Sequence, residues 1–224
     1  MSTPIQLRAE IGFVKDSSNM ASSTPPSTFP FRILIFGATG TIGRYITDAL
    51  LNAQPSFDQV SIFTSPGTVE SKVELLEPWK DKGLQVVTGD ITNPNDIAAA
   101  YESEKPDTVV SCLGRGAIQH QTEIIRLAEE GTVKWLFPSE YGTDIEYGPK
   151  SVYEKPHQNK LAVRQYIREN IKRLKVTYLV TGPYFDMWVR RTPVEGLNFF
   201  DAEKKEAVLV EDGKGKIGFC TMAE

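Results

Sequence analysis

Cysteine and histidine are scarce in this sequence, with two of each among 224 residues. Cys112 and Cys220 stand in apolar stretches, and no Cys-x-x-Cys pair or Cys/His ligand spacing occurs. We therefore expect two buried free thiols in a reducing compartment and no disulfide framework. Because His120 and His157 are the only imidazoles, candidate zinc ligands are few, and we predict no metal site.

An excess of basic residues and a long apolar run are also missing. The formal net charge is -4 and no run of Lys and Arg stands out, so we predict no nucleic-acid partner. No apolar stretch approaches the ~20 residues that span a bilayer, so we predict no membrane partner. A hydrophobic content of 40% with 24% charged residues is ordinary for a globular protein, and we expect a cytoplasmic location.

The first 30 residues differ in composition from the rest of the chain. They are rich in Ser, Thr and Pro, with Pro25, Pro26 and Pro30 near the end. This composition predicts a disordered leader over residues 1–30. The leader has no signal-peptide layout, and its few basic residues are offset by acidic ones, which is not typical of a transit peptide.

Three glycines lie between an apolar run and a helical pattern. Residues 33–36 are typical of a buried parallel strand, and apolar residues recur at helical spacing from Ile42 onwards. We expect Gly37 to make the turn, Gly40 to admit a pyrophosphate and Gly43 to let the helix pack closely on the strand. The helix N-terminus would offer N–H groups to the phosphates. This Gly-x-x-Gly-x-x-Gly motif predicts dinucleotide binding by Gly37, Thr39, Gly40, Thr41, Ile42 and Gly43.

The end of the second predicted strand, 59–64, bears on the choice of cofactor. An NAD site usually has Asp or Glu there to bind the ribose 2′-hydroxyl, but this chain has Thr64 and Ser65. Hydroxyl groups at this position tolerate a 2′-phosphate, whereas a carboxylate would repel it. Lys72 adds a positive charge nearby. The segment therefore favours NADP over NAD, although an arginine would be a stronger signal.

Strand-like runs alternate with helix-like runs along the chain. Further strands are predicted at 84–88, 107–112, 133–137 and 176–181, with fragments at 207–210 and 218–221, and helices at 69–82 (broken at Pro78), 95–101, 118–130 and 158–172. This alternation predicts an α/β fold with a doubly wound parallel sheet. In such a sheet ligands bind beyond the carboxyl ends of the strands.

Several candidate cofactor residues follow the strands at that edge. Asp90 either lines an adenine pocket or caps the next turn. Leu113 and Gly114 follow the fourth strand and are assigned to the cofactor. Ser139 follows the fifth strand, where it either bounds the nicotinamide or caps a turn.

Four stretches of the sequence carry a family resemblance. They are Gly37–Arg44, the helix opening around Gln121, the block 133–142 with its Phe-Pro-Ser-Glu-Tyr-Gly core, and the run from Lys160 through Arg164 to Ile167. From about residue 32 to its end the chain resembles the NmrA-like and isoflavone reductase-like group of atypical short-chain dehydrogenases, especially its fungal members. The Phe-Pro-Ser-Glu-Tyr-Gly block is the most specific of the four, because glycine turns occur in many unrelated nucleotide-binding proteins.

The resemblance implies NADPH-dependent reduction of a small aromatic or phenylpropanoid-type molecule. It implies that Lys160 serves the nicotinamide end, and that Gln121 belongs to the cofactor site. It also implies a Rossmann domain at 31–182 and a substrate-binding region that is incomplete at 183–224, for which we expect weakened activity or none.

One departure from ordinary short-chain dehydrogenases concerns the Tyr-x-x-x-Lys pair. Pro156 stands four residues before Lys160, and Tyr153 stands seven before it, about two helical turns away. Lys160 is therefore our candidate for the proton or for a bond to the cofactor ribose, against a solvated helix lysine. His157 could assist, but the sequence favours a surface histidine. Tyr184, Phe185 and Trp188 either wall the substrate pocket or belong to the core.

Two functional classes follow from these observations. The first is an NADPH-dependent oxidoreductase, which the match of Lys160 to the reductases favours. The second is a regulator that binds NAD(P) and a protein partner without turnover, which the missing Tyr-x-x-x-Lys pair favours. A serine hydrolase is not expected, because no Gly-x-Ser-x-Gly segment occurs.

Overall fold

The computed structural model describes residues 28–189, 200–201, 205–207 and 218–222. The predicted leader up to residue 27, the side chain of Trp188 and the predicted strand residues 208–210 lie outside the described residues. The first strand begins at Thr28, inside the segment predicted as leader.

Six strands form one parallel sheet, which confirms the predicted fold class. In chain order they are β1 (Thr28–Phe36), β2 (Ser56–Thr64), β3 (Gln85–Thr88), β4 (Thr108–Ser111), β5 (Trp135–Phe137) and β6 (Lys175–Val176). Their spatial order is β3-β2-β1-β4-β5-β6, so the order reverses between β1 and β4. A ligand crevice is expected beyond the carboxyl ends of these two strands. Two short strands, β7 (Phe200–Asp201) and β8 (Glu206–Ala207), pair antiparallel in a separate sheet.

Helices connect the strands and cover both faces of the sheet. They are α1 (Gly43–Leu51), α2 (Pro66–Ser71), α3 (Val73–Asp81), α4 (Pro94–Glu104), α5 (Gln121–Glu130), α6 (Gln158–Asn170) and α7 (Phe185–Val189). Short 3₁₀ helices precede α5 at Ile118–His120 and α6 at Ser151–Tyr153 and Lys155–His157.

The side chains of β1 alternate between two apolar clusters. Leu34 and Phe36 face one cluster, with Ile97, Ile124 and Leu136 among its members. Ile33 and Ile35 face the other, together with Ile62, Leu76 and Trp79. Because successive residues of a strand point to opposite faces, a continuous apolar run becomes the centre of both cores. The buried strand therefore fixes where its own carboxyl end, and the glycine loop after it, must lie.

The helical region at 66–81 differs from the prediction. The break falls at Lys72, between α2 and α3, and Pro78 lies inside α3. Ser65 starts α2 early, because its hydroxyl accepts a hydrogen bond from the N–H of Thr68. The proline removes only one helical hydrogen bond, to the carbonyl of the exposed Glu74.

The sixth strand is shorter than predicted. Only Lys175–Val176 pairs with β5, because β5 ends at Phe137 and is followed by a proline. The chain after β6 bonds instead to the loop beyond β5, where the N–H groups of Tyr141 and Thr181 donate to the carbonyls of Leu179 and Gly142. Most of the predicted strand 176–181 therefore bonds to that loop and does not extend the sheet.

Candidate active site

The glycine loop has the close contacts that its spacing predicts. Gly37 has a φ of 77°, and a Cβ there would lie 2.6 Å from the carbonyl oxygen of Cys112. A Cβ at Gly43 would collide with the carbonyl oxygen of Gly37. Only glycine fits these two positions, since one needs a left-handed backbone and the other touches main chain directly.

The N-terminus of α1 suits an anion. No side chain caps the helix at Ile42, and its first turn contains no acidic residue. The Cβ of any other residue at Gly40 would lie 3.1 Å from the carbonyl oxygen of Gly37 and would face the same end of the helix. The N–H groups and the positive end of the dipole can therefore meet a phosphate.

A cavity of about 600 Å³ opens in front of this helix end. The predicted site residues that line it are Gly40, Thr41, Ile42, Leu113, Gly114, Ser139 and Lys160. They come from the ends of β1, β4 and β5 and from the first turn of α6. The fold thus gathers in one place residues that are separated by up to 120 positions in the sequence.

The remaining predicted site residues near the first three strands lie outside this cavity. Gly37 and Thr39 belong to the loop behind it and Gly43 begins α1, whereas Thr64 ends β2 and Ser65 follows it. Lys72 reaches the glycine loop from α2's C-terminal end, where its Nζ donates to the carbonyl oxygen of Thr39 at 2.9 Å. The lysine and the loop that were predicted to share a ligand are therefore in contact.

Asp90 has the capping role that was one of its two predicted alternatives. Its Oδ1 accepts hydrogen bonds of 2.8 Å from both the N–H and the hydroxyl of Thr92. These two bonds from Thr92 lower the pKa of the Asp90 carboxyl. Its contribution to an adenine pocket remains a prediction.

Hydrogen bonds of Gln121 and Ser139 connect the segments that follow β4 and β5. The Gln121 side chain is 1% exposed, and its Oε1 accepts from the N–H of Ser139 at 2.8 Å. The Ser139 hydroxyl donates to the carbonyl of Leu113, also at 2.8 Å. Gln121 does not itself line the cavity. Its hydrogen bond therefore positions Ser139 in the cavity wall from the side away from the cavity.

Lys160 is not a solvated helix lysine. It lies half-buried in the first turn of α6, lines the cavity, and donates from Nζ to the backbone carbonyl of Glu140. Burial lowers the pKa of Lys160, and the charges of Arg115 and Arg164 lower it further, while the Glu140 carboxylate opposes the shift. A lysine with a lowered pKa exchanges its proton more readily near neutral pH.

A buried ion pair that the sequence did not assign lies beneath Lys160. Arg164 and Glu140 are 6% and 4% exposed, and Arg164 Nε donates to Glu140 Oε1 at 2.9 Å. Arg164 also bonds to Asp144 at 3.2 Å and Glu146 at 2.8 Å. Glu140 lines the cavity, and its Oε2 has no hydrogen-bond partner among the described residues. Both residues lie in the motifs that carry the family resemblance. Those motifs were the signal in the sequence that could have identified this ion pair.

His157 was predicted to be on the surface, and this prediction is wrong. The residue is 9% exposed and lines the cavity. Its Nδ1 lies 3.1 Å from the carbonyl oxygen of Ser151, and its Nε2 lies 3.6 Å from Glu154 Oε2. The 3₁₀ helix Lys155–His157, which has Pro156 at its second position, turns the ring inward.

The tyrosines of the cavity wall differ from the Tyr-x-x-x-Lys arrangement. Tyr153 is 82% exposed and does not line the cavity, whereas Tyr141 and Tyr184 are buried in its wall. Burial raises the pKa of both Tyr141 and Cys112, that of Cys112 to about 12. The Tyr141 hydroxyl is therefore neutral at pH 7 and supplies no tyrosinate.

Phe185 is 51% exposed, lies outside the cavity wall and packs edge-on against Phe219, with ring centroids 5.8 Å apart. Within the described ranges, Cys112 and Cys220 are free thiols and no group of acidic, His or Cys side chains has a metal-binding arrangement. In the same part of the chain, no helix is both long and apolar enough to cross a membrane.

Comparison with known proteins identifies similar sequences and folds. The sequence model of the NmrA-like family matches residues 31–192. Phenylcoumaran benzylic ether reductase PT1 of Pinus taeda is 33% identical over 84% of this chain and 60% of its own length. Isoflavone reductase of Pisum sativum is 28% identical over 86% of this chain and 63% of its own.

A solved structure shows the same fold. The binary complex of leucoanthocyanidin reductase with NADPH from Vitis vinifera superimposes with a TM-score of 0.67 at 26% identity, over 86% of this chain and 61% of that one. The chain therefore spans about three fifths of the length of the relatives that it matches.

Proposed function

The chain belongs to the NmrA-like family, and from that membership we propose that it is an NADPH-dependent reductase of small aromatic molecules. One observation carries the proposal: Lys160, with its lowered pKa, lies in the wall of the same cavity as the uncapped N-terminus of α1. The helix end that can bind a phosphate and the lysine amine that can exchange a proton therefore face the same cavity. This is the arrangement that a nicotinamide-dependent reduction requires.

The residues present fit NADP(H). The N–H groups at the start of α1 would hold the pyrophosphate, and Gly40 places no side chain beside them. No carboxylate follows β2 at Thr64 and Ser65, and Lys72 contacts the adjoining loop, which suits a 2′-phosphate. The bound cofactor would supply the hydride.

The protein's part in the chemistry falls to Lys160. The hydrogen bond to the Glu140 carbonyl holds the amine at the cavity wall, and the Arg164–Glu140 pair fixes the segment that carries this carbonyl. The ammonium group would stabilise negative charge that develops on the substrate and donate the proton. Hydride and proton together complete a two-electron reduction.

The wall of the cavity suits an aromatic substrate. Ile118, Ile145, Tyr141, Tyr184 and Met187 supply apolar and aromatic surface around a few polar groups. The named relatives act on phenylcoumarans and isoflavones by their names. We therefore propose a phenylpropanoid-type or isoflavonoid-type substrate that is reduced by hydride transfer.

The test begins with cofactor binding. We would titrate the full chain with NADPH and NADH by fluorescence and thermal shift, and expect tighter binding of NADPH. NADPH oxidation would then be measured with isoflavones, aromatic ketones, lactones and quinones. Lys160→Met should lower kcat by about 10²-fold or more while cofactor affinity is retained. Lys134→Met, an exposed lysine before β5, is the matched control.

The outcomes separate the two functional classes. Turnover that depends on Lys160 and not on Lys134 supports the reductase. Tight cofactor binding with no turnover of any substrate would refute it and support the regulator that acts through a protein partner. The relatives named above are reductases, so the comparisons give the regulator no added support.

A further inference from the structure

We propose that His157 relays protons from solvent to Lys160, so that the two side chains act as a proton-transfer pair in the reduction. The inference rests on the proposed reductase function. It starts from the position of the imidazole, which is buried three residues before Lys160 and lines the same cavity.

The backbone fixes which ring nitrogen carries the permanent proton. His157 Nδ1 lies 3.1 Å from the carbonyl oxygen of Ser151, and a carbonyl can only accept a hydrogen bond. Ser151 is fully buried, and its hydroxyl donates to the carbonyl of Gly148, so this acceptor is held in place. Nδ1 is therefore protonated in the neutral ring, and Nε2 is the nitrogen that gains and loses a proton.

A path from Nε2 to solvent passes through Glu154. The Oε2 atom of Glu154 lies 3.6 Å from His157 Nε2, and its side chain is 44% exposed. The other oxygen, Oε1, accepts a hydrogen bond of 2.8 Å from the hydroxyl of Tyr147, which is 62% exposed. The imidazole thus joins the interior of the cavity to a carboxylate that water reaches.

The other ionisable groups of the cavity are poorly suited to this exchange. The charged and titratable side chains that face the cavity or the imidazole are Arg115, Cys112, Glu140, Tyr141, Glu154, Lys160 and Tyr184. Burial raises the pKa values of Cys112 and Tyr141, which keeps both groups protonated. Glu140 is paired with Arg164, and the Tyr184 hydroxyl bonds to Thr181 at 2.9 Å.

The proposed step balances in atoms and charge. The bound cofactor would supply the hydride to a substrate carbon, and the Lys160 ammonium would donate a proton to the substrate atom that receives the displaced electron pair. The neutral amine would then take the Nε2 proton of the His157 imidazolium, directly or through one water, which leaves a neutral ring protonated at Nδ1. His157 regains a proton from solvent at the Glu154 side, so each turnover consumes one NADPH and one solvent proton.

The first measurement needs no substrate. The chain has two histidines, so ¹⁵N-histidine labelling gives spectra of two rings, and His120→Gln assigns them. We expect the neutral His157 ring to be protonated at Nδ1 and its ring shifts to change in Lys160→Met. A neutral ring protonated at Nε2, or shifts that are unchanged in Lys160→Met, would overturn the proposal.

The second measurement separates a relay from a structural role. With the panel substrate that the wild type turns over fastest, His157→Gln should lower kcat about tenfold with KM and NADPH affinity unchanged. The solvent isotope effect on kcat should rise, and added imidazole should restore part of the rate in His157→Ala. His120→Gln, which lies outside the cavity, should match the wild type.

The outcomes of these assays distinguish a proton relay, a structural role of His157 and a failure of the proposed function. Turnover by the wild type with normal kcat in His157→Gln overturns the relay and leaves the reductase in place. A lower melting temperature without rescue by imidazole assigns His157 a structural role and also overturns the relay. If the wild type turns over none of the panel substrates, the proposed function fails and the relay fails with it.

Discussion

The buried pair of Arg164 and Glu140 allows a quantitative prediction of stability. Arg164→Met would leave the Glu140 carboxylate, which is 4% exposed, without its charge partner. The other two carboxylates bonded to Arg164 have side chains that are 47% and 35% exposed, so their loss adds little. Breaking a buried pair on one side costs about 3–5 kcal/mol, because an uncompensated charge remains.

This cost is a large share of the total free energy of unfolding. The free energy of unfolding of a domain is about 5–15 kcal/mol, so Arg164→Met should lose about a fifth or more of the stability. At about 2–4 °C per kcal/mol for a chain of this size, the melting temperature should fall by about 6–20 °C. Urea denaturation of the full chain, monitored by tryptophan fluorescence, measures the difference directly.

Two further variants make the prediction specific. Arg164→Met combined with Glu140→Gln removes both charges and should recover about half of the loss. Arg168→Met lies one turn further along α6, where the arginine is 55% exposed, and should change stability by less than about 0.5 kcal/mol. If Arg164→Met costs no more than Arg168→Met, or the double variant is no more stable than the single one, the account of this ion pair is wrong.

Four further predictions concern the cofactor and the proton. Gly43→Ala should reduce both NADPH affinity and thermal stability, measured by titration and thermal shift, because its Cβ would collide with the carbonyl of Gly37. Lys72→Gln should weaken NADPH binding about fivefold and leave NADH binding unchanged, since about 1 kcal/mol of charge interaction is lost. The pH profile of kcat should fall as pH rises through the lowered pKa of Lys160, and Arg115→Gln should move that fall to higher pH, because the Arg115 charge lowers this pKa. Tyr153→Phe should keep wild-type kcat, as the residue is 82% exposed, and a large loss of kcat would contradict the assignment of proton transfer to Lys160 alone.

The features that the sequence predicted are those that depend on local pattern. The apolar run at 33–36 and the three glycines after it are adjacent in the chain, so the strand, the turn and the helix contact could be inferred together. The parallel sheet followed from the alternation of strands and helices. The cavity at the strand ends then followed from the fold class, because the carboxyl ends of parallel strands meet at one edge.

The features that the sequence missed depend on particular contacts that composition and periodicity do not contain. The burial of His157 follows from a single turn around Pro156 that packs against Ser151, and a composition-based expectation for histidine does not contain that contact. The partnership of Glu140 with Arg164 joins residues 24 positions apart on different elements. Pro78 was predicted to break a helix, but it lies inside α3, and the break falls at Lys72, between α2 and α3.

The contact between Lys160 and Glu140 has a consequence for how this site can change over generations. The amine is held by the main-chain oxygen of residue 140, and every amino acid supplies that atom. Replacement of the acid would therefore keep the acceptor of the amine, but it would remove the carboxylate that raises the pKa of Lys160 and the ion pair that fixes this segment. The side chain of residue 140 thus affects the basicity of the lysine, whereas its main chain supplies the hydrogen bond.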